Sequence, residues 1–134
     1  YILYKMSKIM LLGSEGGGKT QMLIDIQRGY PYVTEYNPTL GVSSSSIEFD
    51  GQKMIVWECA GNPRLQSNPK FLSKCFIGAV GVVIVCNSPD EYPIYIQKVI
   101  EICGNIPVIC YCVKSQPRTL ENSLFPFRSI ATLL

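Results

Sequence analysis

The stretch Gly13-Ser14-Glu15-Gly16-Gly17-Gly18-Lys19-Thr20 decides the fold of this chain, because it has the spacing of a phosphate-binding loop. It follows an apolar run, residues 8–12, that predicts a strand, and it opens a segment with helical periodicity. Glycines let the backbone N–H groups of such a loop point inward, and the N-terminus of the following helix also attracts anions. Lys19 adds a positive charge for the outer phosphates, and the Thr20 hydroxyl is a ligand for Mg²⁺. The stretch therefore predicts a site for the phosphate chain of a nucleotide.

Length, charge and hydropathy exclude several other classes of protein. The 134 residues predict a single domain, residues 1–134, and the net charge of +2 comes without any run of Lys or Arg. Such a charge pattern gives no support for a nucleic-acid-binding surface. No apolar stretch reaches the roughly eighteen residues that a membrane span needs, and no signal peptide is recognisable. We therefore expect a soluble protein without nucleic acid as a partner.

The six cysteines lie in apolar segments, with no C-x-x-C pair and no histidine in the chain. This pattern predicts reduced, buried thiols and a cytoplasmic or nuclear protein, rather than a disulfide framework or a thiolate metal site. The first residue is Tyr, and one interpretation is that residues 1–5 are foreign and that the native chain begins at Met6.

Strands and helices alternate along the chain. Residues 19–28 have an apolar side and precede Gly29, a typical helix stop. Asp50-Gly51 predicts a hairpin turn that makes the strands before and after it antiparallel. The predicted elements are a helix at 19–28, a connection at 30–39, an edge strand ending at 49, strands at 53–57, 80–86 and 108–113, a helical or irregular segment at 64–76, and a helix at 90–103. This order predicts an α/β fold of the P-loop NTPase type, with a mostly parallel sheet, one antiparallel edge strand and helices on both faces.

Four segments stand in the order found in small GTPases of the Ras superfamily. They are the phosphate loop and residues 37–42, 57–63 and 105–110, and the resemblance covers about residues 8–116. Residues 39–42 and 105–107 look most like the Ran branch, with Rab next. No cysteine stands near the C-terminus for prenylation, which suits Ran better than an intact Rab or Ras, or else reflects truncation. The resemblance implies a Mg²⁺-dependent GTP/GDP switch in signalling or transport, with effectors or regulators of Ran/Rab type and no lipid anchor in this chain.

The resemblance also implies roles for individual residues. Thr39 would close on Mg²⁺ and the γ-phosphate, and the Gly61 N–H would contact the same phosphate. Tyr32 falls where the family places a ring against guanine; Tyr30 is a competing choice, and ordinary packing is the alternative for both. The implied catalytic residues are Lys19, Thr39, Gly61 and Asn62; the nucleotide-binding residues are Glu15, Gly16, Gly17, Gly18, Lys19, Thr20, Gln21, Tyr32, Lys114 and Gln116; the metal ligands are Thr20, Thr39 and Glu58.

Three departures from the family pattern predict weak or absent hydrolysis. Glu58 replaces the family's aspartate and lengthens its reach by one methylene. Asn62, followed by Pro63, replaces the glutamine that orients the attacking water, so the shorter amide would sit about 1.5 Å back. Glu15 would add negative charge near the γ-phosphate, unless its side chain points to solvent.

The end of the chain departs further. Where the family has Asn-Lys-x-Asp, this chain has Val113-Lys114-Ser115-Gln116, which predicts a reduced preference for guanine. The family's last helix is expected to be missing. Its packing surface on the sheet would then be covered by residues 124–134, by another chain, or be left exposed, which makes self-association an open alternative.

Two functions follow from the resemblance. The first is a guanine-nucleotide switch with little hydrolysis. The alternative is a pseudo-GTPase, a binding module that keeps the fold and occupies Ran/Rab partners. A phosphate-loop kinase of a small metabolite is disfavoured because no arginine-rich lid is found in the sequence.

Overall fold

The computed structural model describes residues 7–14, 18–30, 32–37, 42–59, 69–115 and 117–134. The strands in these ranges are β1 (Ser7–Gly13), β2 (Tyr32–Asn37), β3 (Val42–Phe49), β4 (Gln52–Cys59), β5 (Ala79–Cys86) and β6 (Val108–Cys112). The helices are α1 (Lys19–Gln27), α2 (Pro69–Cys75), α3 (Tyr92–Cys103) and α4 (Leu120–Leu133), with single 3₁₀ turns at Pro89–Glu91 and Val113–Ser115.

The six strands form one sheet in the order β2-β3-β4-β1-β5-β6. β4, β1, β5 and β6 are mutually parallel, whereas β3 runs antiparallel to both β4 and β2. This arrangement confirms the predicted α/β class with a mostly parallel sheet and an antiparallel edge. As predicted, the β3–β4 hairpin turns at Asp50-Gly51, where both residues have positive φ, 50° and 73°.

The outermost strand, β2, was not predicted, because residues 30–39 had been interpreted as a connection. β2 pairs with β3 along its whole length, from Tyr32 opposite Ile47 to Asn37 opposite Val42. The antiparallel edge therefore contains one more strand than expected, and β3 is paired on both sides. Polar residues suit β2 because only one of its edges is paired within the described part of the chain.

Helices cover both faces of the sheet. On one face, α1 and α4 pack against side chains that include Ile9, Leu11, Val83 and Val85. On the other face, α2 and α3 pack against Met10, Val82, Ile84 and Cys86. Successive residues of β1 and β5 thus alternate between two cores, which explains why these strands are continuous apolar runs.

Helix α4 covers one face of the sheet at the end of the chain. Leu124, Phe127 and Ile130 of α4 are fully buried against α1 and the sheet, so the first of the three expected alternatives holds for this face. Thr119 caps the helix by accepting a hydrogen bond from the Asn122 N–H at 3.1 Å. Pro126 within the helix obscured the helical spacing of these residues.

Arg128 of α4 joins three separate segments. Its Nε donates to Asp50 Oδ2 at 2.9 Å, an Nη donates to the Tyr30 hydroxyl at 3.1 Å, and the guanidinium also pairs with Glu121. The contact ties the β3–β4 turn to the last helix. Among the described residues, none of the helices has the length and apolar character needed to cross a bilayer.

Candidate nucleotide site

Two glycines at the ends of the phosphate loop have conformations that other residues would not tolerate. A Cβ on Gly13, the last residue of β1, would lie 1.7 Å from the Val85 carbonyl oxygen of the neighbouring strand. Gly18 precedes α1 with φ 92°, in the left-handed region, and as a glycine it has no side chain with which to cap the helix. The chain can therefore leave β1 closely packed on β5 and enter α1 with its first N–H groups available to an anion.

Lys19 is held at the start of this loop. Its Nζ donates to the carbonyl oxygens of Gly13 at 2.8 Å and Ser14 at 3.0 Å, and the residue is only 8% exposed. Two oxygens at the end of β1 therefore fix the ammonium group beside the N-terminus of α1. This places a positive charge and a helix N-terminus together, the combination that attracts phosphate.

Thr20 and Glu58, two of the three predicted metal ligands, lie in direct contact. The Thr20 hydroxyl donates to Glu58 Oε1 at 2.8 Å. Glu58 stands opposite Leu11 in the parallel β1–β4 register, near the carboxyl ends of both strands. A hydroxyl and a carboxylate are hard oxygen donors of the kind that Mg²⁺ prefers, so these two residues fit the ion. The extra methylene of Glu58 does not keep its carboxylate from reaching Thr20.

A cavity of about 290 Å³ lies beside this pair. Its polar lining comes from α1, β2, β3 and β4 and includes Thr20, Gln27, Thr34, Ser43, Ser45 and Glu58. Gln27 Nε2 donates to Thr34 Oγ1 at 3.2 Å, and the Thr34 and Ser45 hydroxyls are 3.1 Å apart. Ser45 therefore has a structural role, since it is buried and its hydroxyl meets that of Thr34 in β2.

The base-recognition segment begins directly after β6. A Cβ on Gly18 would lie 3.3 Å from both γ-carbons of Val113, so this apolar side chain packs against the entry to α1. Val113, which stands where the family has a polar residue, therefore lies beside the phosphate loop. The backbone of Lys114 follows Val113 in a 3₁₀ turn.

An ion pair between α1 and the base-recognition segment was missed by the sequence analysis. Arg118 Nε and Nη2 donate to the two carboxylate oxygens of Asp25, each at 2.9 Å. Asp25 also accepts from Gln21 Nε2 at 3.1 Å, which gives this predicted nucleotide-binding residue a partner within its own helix. The hydrogen bonds from Arg118 lower the pKa of the Asp25 carboxyl, against the opposing effect of burial. A bidentate pair of this kind fixes the loop onto α1.

Glu91 supports the phosphate loop from the far side of β5. Its Oε2 accepts from the backbone N–H groups of Asn87 and Ser88, at 3.0 and 3.1 Å, and from the Ser14 hydroxyl at 3.4 Å. Ser88 and Glu91 form a capping box at the start of the 3₁₀ turn before α3. The S-x-x-E spacing is visible in the sequence, but the contact with Ser14 depends on the tertiary fold.

The backbone places the two tyrosines considered for guanine at the β2 side of the sheet. Tyr32 starts β2, and β2 and β6 are the opposite edges of the sheet, about 24 Å apart at the usual strand spacing. Tyr30 packs against the core and binds Arg128 near Asp50, about 26 Å along β4 from Glu58. Packing is therefore the better interpretation of Tyr30. The role of the Tyr32 ring stays a prediction, because its side chain lies outside the described part of the structure.

Several predicted site residues lie outside the described residues: Glu15, Gly16, Gly17, Thr39, Gly61, Asn62 and Gln116. Their roles stay predictions. Among the described cysteines, Cys75, Cys86, Cys103, Cys110 and Cys112 are free thiols, and burial raises the pKa of Cys86, Cys103 and Cys110.

Comparison with known proteins narrows the family. The model of the ADP-ribosylation factor family matches residues 2–99. Similar proteins include ADP-ribosylation factor J of Dictyostelium discoideum, 28% identical over 65% of this chain and 44% of its own length. ADP-ribosylation factor-like protein 1 of Saccharomyces cerevisiae is 28% identical over 65% of this chain and 45% of its own length. Ras-related protein Rab-13 of Rattus norvegicus is 28% identical over 63% of this chain and 41% of its own length.

The matched segment thus spans less than half the length of each of these relatives. The resemblance to small GTPases of the Ras superfamily is confirmed, but the preference for the Ran branch is not supported, since the matching model is that of another branch. The phosphate loop at the end of β1, the Thr20–Glu58 pair and the family match agree: the chain belongs to the ADP-ribosylation factor family of small GTPases.

Proposed function

We propose that this chain binds GDP or GTP together with Mg²⁺ and acts as a nucleotide-controlled switch. The observation that carries the proposal is the convergence of three features at the carboxyl ends of β1 and β4. These are the Lys19 ammonium held on two loop carbonyls, the α1 N-terminus, and the Thr20–Glu58 pair. Each feature is complementary to a phosphate chain or to its accompanying cation.

Each residue contributes separately. Lys19 and the first N–H groups of α1 would bind phosphate oxygens, and the Thr20 hydroxyl and Glu58 carboxylate would hold Mg²⁺. The ion, when bound, neutralises charge on the phosphates. The hydrogen bond between Ser14 and Glu91 orients the loop, because Glu91 is itself held by two backbone N–H groups. No nucleotide base is needed for any of these contacts.

Hydrolysis is proposed to be slow or absent. Asn62 stands where the family carries a longer amide, and Glu15 adds negative charge in the phosphate loop. A displacement of the water by about 1 Å costs on the order of a hundredfold in rate. The chain would then remain in the GTP state for long periods unless a partner accelerates hydrolysis.

Exchange factors, activators and effectors of small GTPases are the proposed protein partners, and the family match favours Arf-type over Ran- or Rab-type partners. A cytoplasmic or nuclear location is proposed from the free thiols among the described cysteines.

Titration calorimetry of the folded protein with GDP and GTP in excess Mg²⁺ tests nucleotide binding. We expect dissociation constants in the micromolar range or below. Lys19→Ala should abolish the heat of binding. Lys74→Ala, which removes an exposed lysine from the last turn of α2, should leave it unchanged and serves as the matched control. If well-folded wild-type protein gives no heat with either nucleotide, the proposal is wrong.

A second candidate function is a binding module that has lost nucleotide control. The specific observation in its favour is Val113, whose side chain packs on Gly18 at the place where the family has a polar residue. This candidate predicts that the wild type binds neither nucleotide yet still binds a small-GTPase partner. The same calorimetry separates the two functions.

A further inference from the structure

The outer edge of β6 is open within the described ranges, where β6 pairs with β5 alone. The Pro107 carbonyl accepts a hydrogen bond from the Val82 N–H at 3.0 Å, so it points toward β5. Because backbone groups alternate in direction along a strand, Ile109 and Tyr111 also face β5. The N–H and C=O groups of Val108, Cys110 and Cys112 therefore point outward.

A cavity of about 440 Å³ follows this open edge. It is lined by Pro89, Tyr92, Cys110, Tyr111, Cys112, Ser115, Asn122 and Phe125. Tyr111 belongs to the core under α1 and α4, whereas Cys110 packs with the core under α2 and α3. The cavity thus wraps around the edge of the sheet instead of lying on one face. Its shape suits an added strand better than a docked helix.

The lining carries no formal charge at neutral pH. Burial raises the pKa of Tyr92 to about 12, so its hydroxyl stays protonated. Edge strands usually carry charges or prolines that prevent pairing with other strands, and the residues of β6, Val-Ile-Cys-Tyr-Cys, include neither. An uncharged, unprotected edge favours pairing with a segment that is also uncharged.

We propose that the occupant of this edge is β6 of a second copy of this chain, paired antiparallel about a two-fold axis at Cys110. In this register Cys110 lies opposite Cys110 of the second copy, and Val108 lies opposite Cys112. The outward N–H and C=O groups of these three residues that have no other partner then form hydrogen bonds with the complementary groups of the second copy. The Cys112 carbonyl also accepts from the Ser115 hydroxyl at 2.9 Å and so has a local partner.

The pairing is consistent with the rest of the surface. A two-fold axis normal to the sheet keeps α4 of both copies on the same face, so the two Phe125 side chains, each 59% exposed, border the same groove. The edge adjoins the base-recognition segment, because Val113 directly follows β6 and Ser115 lines the cavity. Five-residue strands bury little area, so we expect a weak dimer with a dissociation constant of about 1–100 μM. The proposed dimer surface at the β6 edge is different from the face of the sheet that α4 covers.

Sedimentation velocity of wild-type protein over a concentration series up to about 100 μM tests the proposal. We expect a monomer–dimer equilibrium both without nucleotide and with GDP, so the result does not depend on nucleotide binding. A wild type that stays monomeric over the whole series would overturn the proposal.

Two substitutions at one position separate backbone pairing from side-chain packing. Cys110→Pro removes the thiol together with an outward N–H, a loss that an edge strand tolerates, and should abolish the dimer. Cys110→Ala keeps the N–H and should dimerise like the wild type. Equal association of both variants would show that β6 is not the interface. If Cys110→Pro does not fold, Phe125→Lys at the exposed rim should weaken association at least tenfold, and unchanged association of that variant overturns the proposal.

A short bifunctional maleimide tests the register. Opposed residues in such a ladder have Cα atoms about 5.5 Å apart, so the two Cys110 thiols can be linked. Peptide mass spectrometry should identify a Cys110–Cys110 link that persists in Cys103→Ala and disappears in Cys110→Ala. Covalent dimers linked only through other cysteines would overturn the two-fold register.

Discussion

The hydroxyl of Thr20 and the carboxylate of Glu58 are 2.8 Å apart, which joins the first turn of α1 to the carboxyl end of β4. The two residues come from elements that contact β1 from different sides, and together they offer Mg²⁺ two oxygen ligands. Glutamate thus reaches a position at which the family resemblance predicted an aspartate.

Glu58→Gln should reduce the dependence of nucleotide affinity on Mg²⁺ by about tenfold or more, because an amide is a poorer ligand for a hard cation than a carboxylate. Nucleotide dissociation rates with Mg²⁺ and with a chelator measure this dependence. Glu48→Gln, an exposed glutamate of β3, is the matched control and should behave like the wild type. Equal chelator sensitivity of Glu58→Gln and the wild type would remove Glu58 from the metal site.

Base selectivity should be weak. Gln116 offers no charge to the base, and Val113 packs on Gly18 without a polar group, so ATP or XTP should compete with GTP better than in other small GTPases. Val113→Asn combined with Gln116→Asp should restore preference for guanine by a few kcal/mol. Competition titrations of GTP against ATP or XTP measure this preference in the wild type and in the double variant. A wild type that ignores a hundredfold excess of ATP would show that guanine is recognised elsewhere in the chain.

Intrinsic GTP hydrolysis should be slower than about 10⁻⁴ per second. Asn62→Gln should raise the rate modestly by extending the amide toward the water, and Glu15→Gly should act mainly when an activator supplies an arginine. Single-turnover assays decide between these outcomes. Fast hydrolysis by the wild type would mean that another group positions the water.

Acid should weaken the Asp25–Arg118 contact. The folded-state pKa of Asp25 lies below its ordinary value of 3.8, chiefly because Arg118 donates hydrogen bonds to it. A lowered carboxyl pKa contributes stability that is fully present above the unfolded value and is lost as pH falls through the folded value. The stability advantage of wild type over Asp25→Asn should therefore be constant near neutral pH and shrink below about pH 4. Urea unfolding of both proteins at several pH values measures this difference in the free energy of unfolding. An advantage that does not change with pH would contradict this assignment.

Two phenylalanines of α4 should differ sharply in their contribution to stability. Phe127 is fully buried, so Phe127→Ala should cost about 3–5 kcal/mol of unfolding free energy through lost burial and a residual cavity. Phe125 is 59% exposed and meets the Tyr111 ring at a centroid distance of 6.5 Å, so Phe125→Ala should cost less than about 1 kcal/mol. Denaturant unfolding of dilute protein compares the unfolding free energies of the two variants. Similar losses would mean that α4 does not pack as described.

Local pattern in the sequence was enough for much of the fold and for part of the site. The glycine spacing placed a loop between β1 and α1, the continuous apolar runs marked β5 as a buried strand and β6 as a strand, and Asp50-Gly51 marked the hairpin. Burial of β6 was overestimated, because β6 lies at an edge of the sheet and most of its residues are only partly buried. Lys19 and Thr20 were singled out from the same information, whereas Glu58 was singled out from the family resemblance. Such features are determined by neighbours within a few residues, because turn chemistry and hydrophobic periodicity are local properties.

The tertiary structure alone decided which distant residues meet. It paired Asp25 with Arg118 and Ser14 with Glu91, and among the described strands it placed β2 at one edge of the sheet and β6 at the other. Strand order brings residues far apart in the chain into contact, and no local pattern encodes that order. For the same reason α4, interrupted by Pro126, was recognisable only from the core that it covers.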